Sequence, residues 1–316
     1  MTWRRTAWLS VGALALSCGG GDPIPAGAHG TPLPAPTEAK PAAERQELVI
    51  GLLPERNIFR QLERYEPLAA YLSARSGTKI RLTILARYGN IVSNFKSAGL
   101  DGAFFGSFTY ALAHRRLDVD VIARPLMQNG RSTYFGVILV RRDSGIHDAE
   151  GLRGKRFAFV DQATTAGYLL PLDFLAQHGV KDYRTFLGET YFTGTHEDVV
   201  RDVLDGRADA GAAKSSVLER MAGEDPRVIS DLTFLARSPD VPENALALRR
   251  DLAPELRTRL RDVLLGMHED PDGRLALEHL GAVRFIETRD EDYEPVYRLA
   301  SEAGLDLDRY EYDTSR

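Results

Sequence analysis

The sequence predicts an α/β protein of two lobes, each a mainly parallel sheet flanked by helices, joined by a hinge that the chain crosses twice. Three observations predict it. Short apolar runs of strand length alternate with stretches whose apolar residues recur at helical spacing, the pattern of sheets covered on both faces. The segment Asp101-Gly102-Ala103-Phe104-Phe105-Gly106-Ser107 returns in outline as Asp209-Ala210-Gly211-Ala212-Ala213-Lys214-Ser215, as if each lobe presented the same turn. The stretches near 134–140 and 243–249 fall where one series of elements stops and another starts, which makes them the two crossings.

The elements follow in order. Residues 47–52 form a buried strand, and Ile58, Leu62, Tyr65, Leu68, Ala69 and Leu72 form the apolar stripe of a helix. Then come a strand over 79–85, a helix over 91–98, a strand over 103–105, a helix over 108–114 and a strand over 119–123. The crossing strand 134–140 closes on Arg142-Asp143-Ser144-Gly145, residues with turn chemistry. The second lobe restarts with a strand over 155–160, a helix opening near Thr164, a helix over 196–204, a strand over 209–213 and a helix over 215–221. Strands over 227–236 and 244–248 lead out. Helices over 254–267, 272–280 and 290–303 rejoin the first lobe. The expected division is residues 46–136 with 247–316 as lobe 1 and 137–246 as lobe 2.

The N-terminal stretch reads differently. Arg4 and Arg5 precede an uncharged run from Ala7 to Leu16, too short for the roughly 18 or more apolar residues of a membrane span, so residues 1–17 read as a cleaved secretion signal. Cys18, the only cysteine, follows a small residue and is similar to the lipidated cysteine of bacterial lipoproteins, which implies that its thiol carries a lipid. Residues 18–45 are rich in Pro, Gly and Ala and read as a tether that holds the folded part off a membrane. The formal net charge is −5 and becomes two units more negative once Arg4 and Arg5 are removed. A concentrated basic face is not indicated, which excludes a nucleic-acid partner. A small anion needs only a few local donors and stays compatible with this charge.

Candidate site residues sit at strand-to-helix junctions, where open α/β sheets hold ligands. Asp161-Gln162-Ala163-Thr164-Thr165-Ala166-Gly167-Tyr168 puts two hydroxyls and a glycine at such a junction. The free N–H groups of a helix start there favour an anion; alternatively Thr164 or Thr165 caps its own helix. Tyr88-Gly89-Asn90 and Gly106-Ser107 occupy junctions of the first lobe. In the second, Thr195 and Asp198 have the spacing of a capping box that leaves His196 in the first turn, its ring free to face the cleft. Lys214 reads either as a cleft cation or as an exposed lysine. His196-Glu197-Asp198 is no metal site, because consecutive residues diverge around a helix. Ser107 or a threonine beside His196 could act as nucleophile and base, but no nucleophile elbow, phosphate loop or metal motif is present, so neither an enzyme nor a cofactor is expected.

On Tyr88-Gly89-Asn90-Ile91, the 101–106 segment, Thr164-Thr165-Ala166-Gly167 with Pro171, Gly194-Thr195-His196-Glu197 and Ser238-Pro239-Asp240-Val241-Pro242, the chain resembles the substrate-binding proteins of phosphonate, phosphite and phosphate ABC importers. The resemblance spans about residues 48–285. It implies a type II periplasmic-binding-protein fold, with Tyr88, Thr164, Thr165 and His196 on the phosphorus oxygens and the backbone N–H groups of Thr165 and Ala166 completing the cradle. Phe105 stands where an aromatic hydroxyl is usual and supplies no donor. Ser216 stands for an acid that pairs with a ligand ammonium, and Asn244 for an acid expected just after Pro242. Ser107, Phe105, Ser216 and Asn244 thus join the candidate site. The ligand implied is a small oxyanion without an amine: phosphite, methylphosphonate or phosphate. The resemblance further implies an ABC permease as partner, a periplasmic or cell-surface location, membrane contact through the lipid anchor only, and a monomer. The alternative is a ligand sensor without a permease, or the same fold around a sulfonate, a nitrate or a vitamin precursor.

Overall fold

The computed structural model describes residues 47–55, 58–85 and 90–311. The expected signal, Cys18, the tether and Tyr88 lie outside the described residues. Lobe 1 begins with β1 (Glu47–Leu52), α1 (Ile58–Ser76), β2 (Lys79–Ile84), α2 (Asn90–Asn94), β3 (Gly102–Phe105), α3 (Ser107–Leu117) and β4 (Val119–Met127). The chain crosses at β5 (Thr133–Tyr134) and builds lobe 2 from β6 (Gly136–Arg141), β7 (Phe157–Phe159), a π-helical turn (Thr165–Leu169) that runs into α4 (Leu170–Gln177), α5 (Tyr183–Phe186), β8 (Thr190–Phe192), α6 (His196–Leu204), β9 (Ala210–Lys214), α7 (Ser215–Glu224), α8 (Arg227–Ser230) and β10 (Leu232–Arg237). It returns through β11 (Val241–Pro242) and β12 (Ala245–Arg249), followed by α9 (Pro254–Gly266), α10 (Pro271–Leu280), β13 (Ala282–Glu287) and α11 (Glu294–Glu302).

The sheet orders are β13-β4-β12-β3-β1-β2 in lobe 1 and β10-β6-β9-β7-β8 in lobe 2, with β5 and β11 paired as a two-stranded hinge. Both large sheets are mixed rather than mainly parallel. β1 runs parallel to β2 and β3, whereas β12 is antiparallel to β3 and β4. In lobe 2, β7 is parallel to β8 and β9, while β6 is antiparallel to β9 and β10. The reason is topological: β6 and β12 start at the hinge, while β3 and β9 end there, so each crossing strand enters its sheet in the opposite sense.

Two local readings need correction, and one strand went unread. Residues 227–230 are helical, and the strand starts only at Leu232; Pro226 pre-sets a helical φ and the Asp225 carboxylate accepts from the N–H of Arg227 at 3.0 Å. The helix expected over 91–98 ends at Asn94. Strand β13 gave no alternation to read, since both Val283 and Arg284 are exposed between buried Ala282 and Phe285.

The core of lobe 1 packs Leu48, Ile50 and Leu52 of β1 with Tyr65, Leu68 and Leu72 of α1, and with Leu260 and Leu277 of the late helices. Each fully buried aliphatic side chain contributes about 1.5–3 kcal/mol. The recurring aspartates do the same work in both lobes. The Asp101 carboxylate accepts from the N–H of Val49 at 3.0 Å and its own N–H donates to Val49 O at 2.9 Å. Asp209 repeats both bonds with Arg156, at 2.8 and 3.0 Å. Each pair locks the register of a parallel strand pair just before the site.

Candidate functional site at the hinge

Two of the junctions singled out in the sequence, those at Ser107 and Thr165, meet at the two crossings. Ser107, first residue of α3, donates its hydroxyl hydrogen to Pro242 O at 2.6 Å. Ser215, first residue of α7, accepts from the N–H of Phe135 at 3.2 Å. Thus the serine of each recurring turn fastens one lobe to one crossing, Ser107 to the return and Ser215 to the outward strand.

The hydroxyl turn meets lobe 1 directly. The N–H of Phe108, at the start of α3, donates to Thr165 Oγ1 at 2.9 Å, and the Thr109 hydroxyl donates to Ala163 O at 2.9 Å. The Thr164 hydroxyl instead turns back and donates to Asp161 O at 2.7 Å. Neither threonine caps its own helix with its side chain. The turn is held close to its surroundings by two glycines: a Cβ on Gly167 would run into the Val160 side chain, and one on Gly136 would lie 2.8 Å from Ala166 Cα. Both Ala166 and Thr165 are buried.

His196 opens α6 behind Thr195, whose side chain accepts from the N–H of Asp198 at 3.1 Å. The box closes differently from the expected one, because the Asp198 carboxylate takes the Thr195 hydroxyl at 2.7 Å. The His196 ring is buried. Burial pushes its pKa down to about 3, the nearby Glu55 carboxylate opposing and Lys214 and Arg220 adding to the effect. At neutral pH it is an uncharged imidazole with one donor and one acceptor.

Lys214, at the end of β9, is buried and centres a cluster that bridges the lobes. Its ammonium lies 2.7 Å from Glu243 Oε2, 3.1 Å from Glu55 Oε1 and 3.2 Å from Asn244 Oδ1, and 4.3 Å above the centre of the Tyr134 ring. Asn244 also donates its amide to Glu55 at 2.9 Å. Burial alone would raise the Glu55 pKa, but Lys214, Arg64 and His196 hold the carboxyl down at about 2. For Lys214 burial acts downward and the two carboxylates more than reverse it. The desolvation cost of such a group is met only because every N–H has an acceptor. Beyond the cluster opens a cleft of about 600 Å³, lined among others by Arg64, Lys214, Ser216, Arg220 and Asn244. The hydroxyl turn does not line it. Tyr134 connects the two places: its ring supports Lys214, and its phenol lies beside the hydroxyls of Ser107 and Thr165.

Of the expected site residues, Ser107 and Thr165 meet at the hinge, and His196 and Asn244 lie around Lys214. Ser216 lines the cleft. Phe105 is fully buried in β3 with its ring stacked near Phe95 at 6.3 Å, a core position. Glu55, Tyr134 and Glu243 were not anticipated. The residue directly after Pro242 is itself an acid, Glu243, and its carboxylate holds Lys214; Glu55 follows β1 at a junction like those that drew attention elsewhere.

A family model described as ABC transporter, phosphonate, periplasmic substrate-binding protein matches residues 50–293. The chain belongs to that family. Among similar curated proteins, the phosphonates-binding periplasmic protein of Escherichia coli is 23% identical over 267 residues, covering 82% of this chain and 78% of that one. The phosphate-import protein PhnD of Mycolicibacterium smegmatis is 24% identical over 269 residues, covering 81% and 79%. Among solved structures, a binding protein component of an ABC phosphonate transporter from Pseudomonas aeruginosa has a TM-score of 0.74 at 20% identity, covering 83% of this chain and 87% of that one. PhnD1 of Prochlorococcus marinus, solved in complex with methylphosphonate, has a TM-score of 0.71 at 23% identity, covering 82% and 98%. The fold is therefore that of the type II periplasmic binding proteins. Among the described residues no helix is long and apolar enough to cross a membrane.

Proposed function

We propose that this family member is the binding component of an ABC importer for a small phosphorus oxyanion without an amine, with phosphite, methylphosphonate and phosphate as the candidates. The observation that carries the reading is the bond between Phe108 N–H and Thr165 Oγ1. A helix N-terminus of one lobe and a hydroxyl turn of the other are aimed at each other, so an oxyanion drawn between them would take donors from both. The Tyr134 phenol lies beside the same turn, and neutral His196 stands at the neighbouring Lys214 cluster. Similar proteins named for phosphonates, phosphate and phosphite support this choice of ligand class.

Thermal melting of the purified protein with each anion tests the reading. Ligand at about a thousand times its Kd adds roughly 4 kcal/mol of stability, enough to move the transition clearly. If phosphate, phosphite and methylphosphonate all leave the transition in place while sulfate, nitrate or a vitamin precursor raises it, the phosphorus assignment is wrong. The permease partner and the lipid on Cys18 belong to the same proposal. Metabolic labelling with a fatty acid should mark the wild type and not Cys18→Ser, and the unlabelled form should leave the membrane fraction.

A further inference from the structure

We propose that Lys214 is a built-in ammonium that fills a cation cage beside the oxyanion position and thereby excludes ligands carrying their own amine. Two carboxylates and a carboxamide oxygen surround Nζ within 3.2 Å, one acceptor for each of its three N–H bonds, and the Tyr134 ring closes the remaining side. No N–H of this lysine is left for an anion. The acceptors come from the end of β1 and from the return crossing, whereas the lysine arrives from β9 in the other lobe, so the cage is built without the element that fills it. Glu55, Glu243 and Asn244 all line the open cleft together with Lys214, so removing the lysine stem would open the cage to ligands in that cleft. The Tyr134 side chain sets the spacing. With its ring against the ammonium and its phenol against Ser107 and Thr165, cage and hydroxyl turn lie one tyrosine apart, a separation suited to a short aminoalkylphosphonate.

The phosphorus half of this inference rests on the function proposed above, and the cage itself does not. Two measurements keep them apart. Lys214→Ala should melt lower than the wild type and should be restored in part by ethylammonium chloride, whereas sodium chloride at equal ionic strength restores nothing and the wild type responds to neither. The same variant should gain about tenfold or more in its preference for 2-aminoethylphosphonate over methylphosphonate, the gain expected from new charge-assisted hydrogen bonds. A folded Lys214→Ala protein that ignores ethylammonium overturns the cage. Should that variant fail to fold, the wild type decides alone: binding 2-aminoethylphosphonate as tightly as methylphosphonate overturns the exclusion, and discrimination by about tenfold or more supports it. A wild type that binds no phosphorus anion would sink the proposed function while the ethylammonium result still decides the cage.

Discussion

The N–H of Phe108 and the hydroxyl of Thr165 share a 2.9 Å hydrogen bond that joins the start of α3 in lobe 1 to the π-helical turn of lobe 2. Both groups are buried, so the bond matters to stability as well as to any anion between the lobes. Thr165→Val keeps the shape and removes the acceptor. The unpaired N–H should cost about 1–3 kcal/mol in urea unfolding, and loss of the hydroxyl should weaken oxyanion binding about tenfold in calorimetry. Thr165→Ser should recover both. A loss of stability with unchanged affinity would reduce this bond to a purely structural link.

The two aspartate bridges have the same hydrogen bonds but different surroundings. Asp101 has a side chain that is 1% exposed, whereas that of Asp209 is 37% exposed. Water can replace the lost acceptor at the second site and not at the first. Asp101→Ala should therefore cost about 2–3 kcal/mol, and Asp209→Ala clearly less, with equilibrium unfolding as the measurement.

Acid should destabilise the protein in two stages. His196 has an ordinary pKa of 6.5 and a folded value of about 3. Between these values the unfolded chain binds a proton that the folded chain does not, so stability falls as pH drops from 6.5. Glu55 moves from 4.5 to about 2; its contribution is complete above 4.5 and is lost as pH falls toward 2. His196→Asn should flatten the upper limb and leave most of the lower one, since Lys214 and Arg64 still act on Glu55. Urea midpoints measured from pH 7 to pH 2 on both proteins check this.

Gly136 opens β6 against the hydroxyl turn, where an added Cβ would lie 2.8 Å from Ala166 Cα and 2.9 Å from Leu170 Cδ2. Backbone on one side leaves little room to yield. Gly136→Ala should cost about 1–3 kcal/mol by overpacking, and, by displacing the turn, should also weaken oxyanion binding. Melting temperature and calorimetric affinity should fall together.

The order of elements was legible because each strand and helix buries one face against a sheet, and burial writes a period of 2 or 3.6 into neighbouring residues. The recurrence around Asp101 and Asp209 was legible too, since its two backbone bonds and its serine lie within seven residues. Short or half-exposed pieces such as β8 and β13 were not, because they bury too little to impose a pattern. The mixed sense of the sheets also escaped a local reading: direction depends on where a strand enters its sheet, which is a property of the crossings.

The sequence by itself determined that two α/β lobes meet at junctions rich in hydroxyls, and that Ser107, Thr165 and His196 stand at those junctions. Only the tertiary structure decided which of them touch, and what surrounds Lys214. Its partner Glu55 is 159 positions away in the chain and Glu243 is 29 away. No local period or spacing encodes such a pairing. It exists because folding brings the end of β9 against the end of β1 and the return crossing, in a buried place where an ammonium must be fully coordinated.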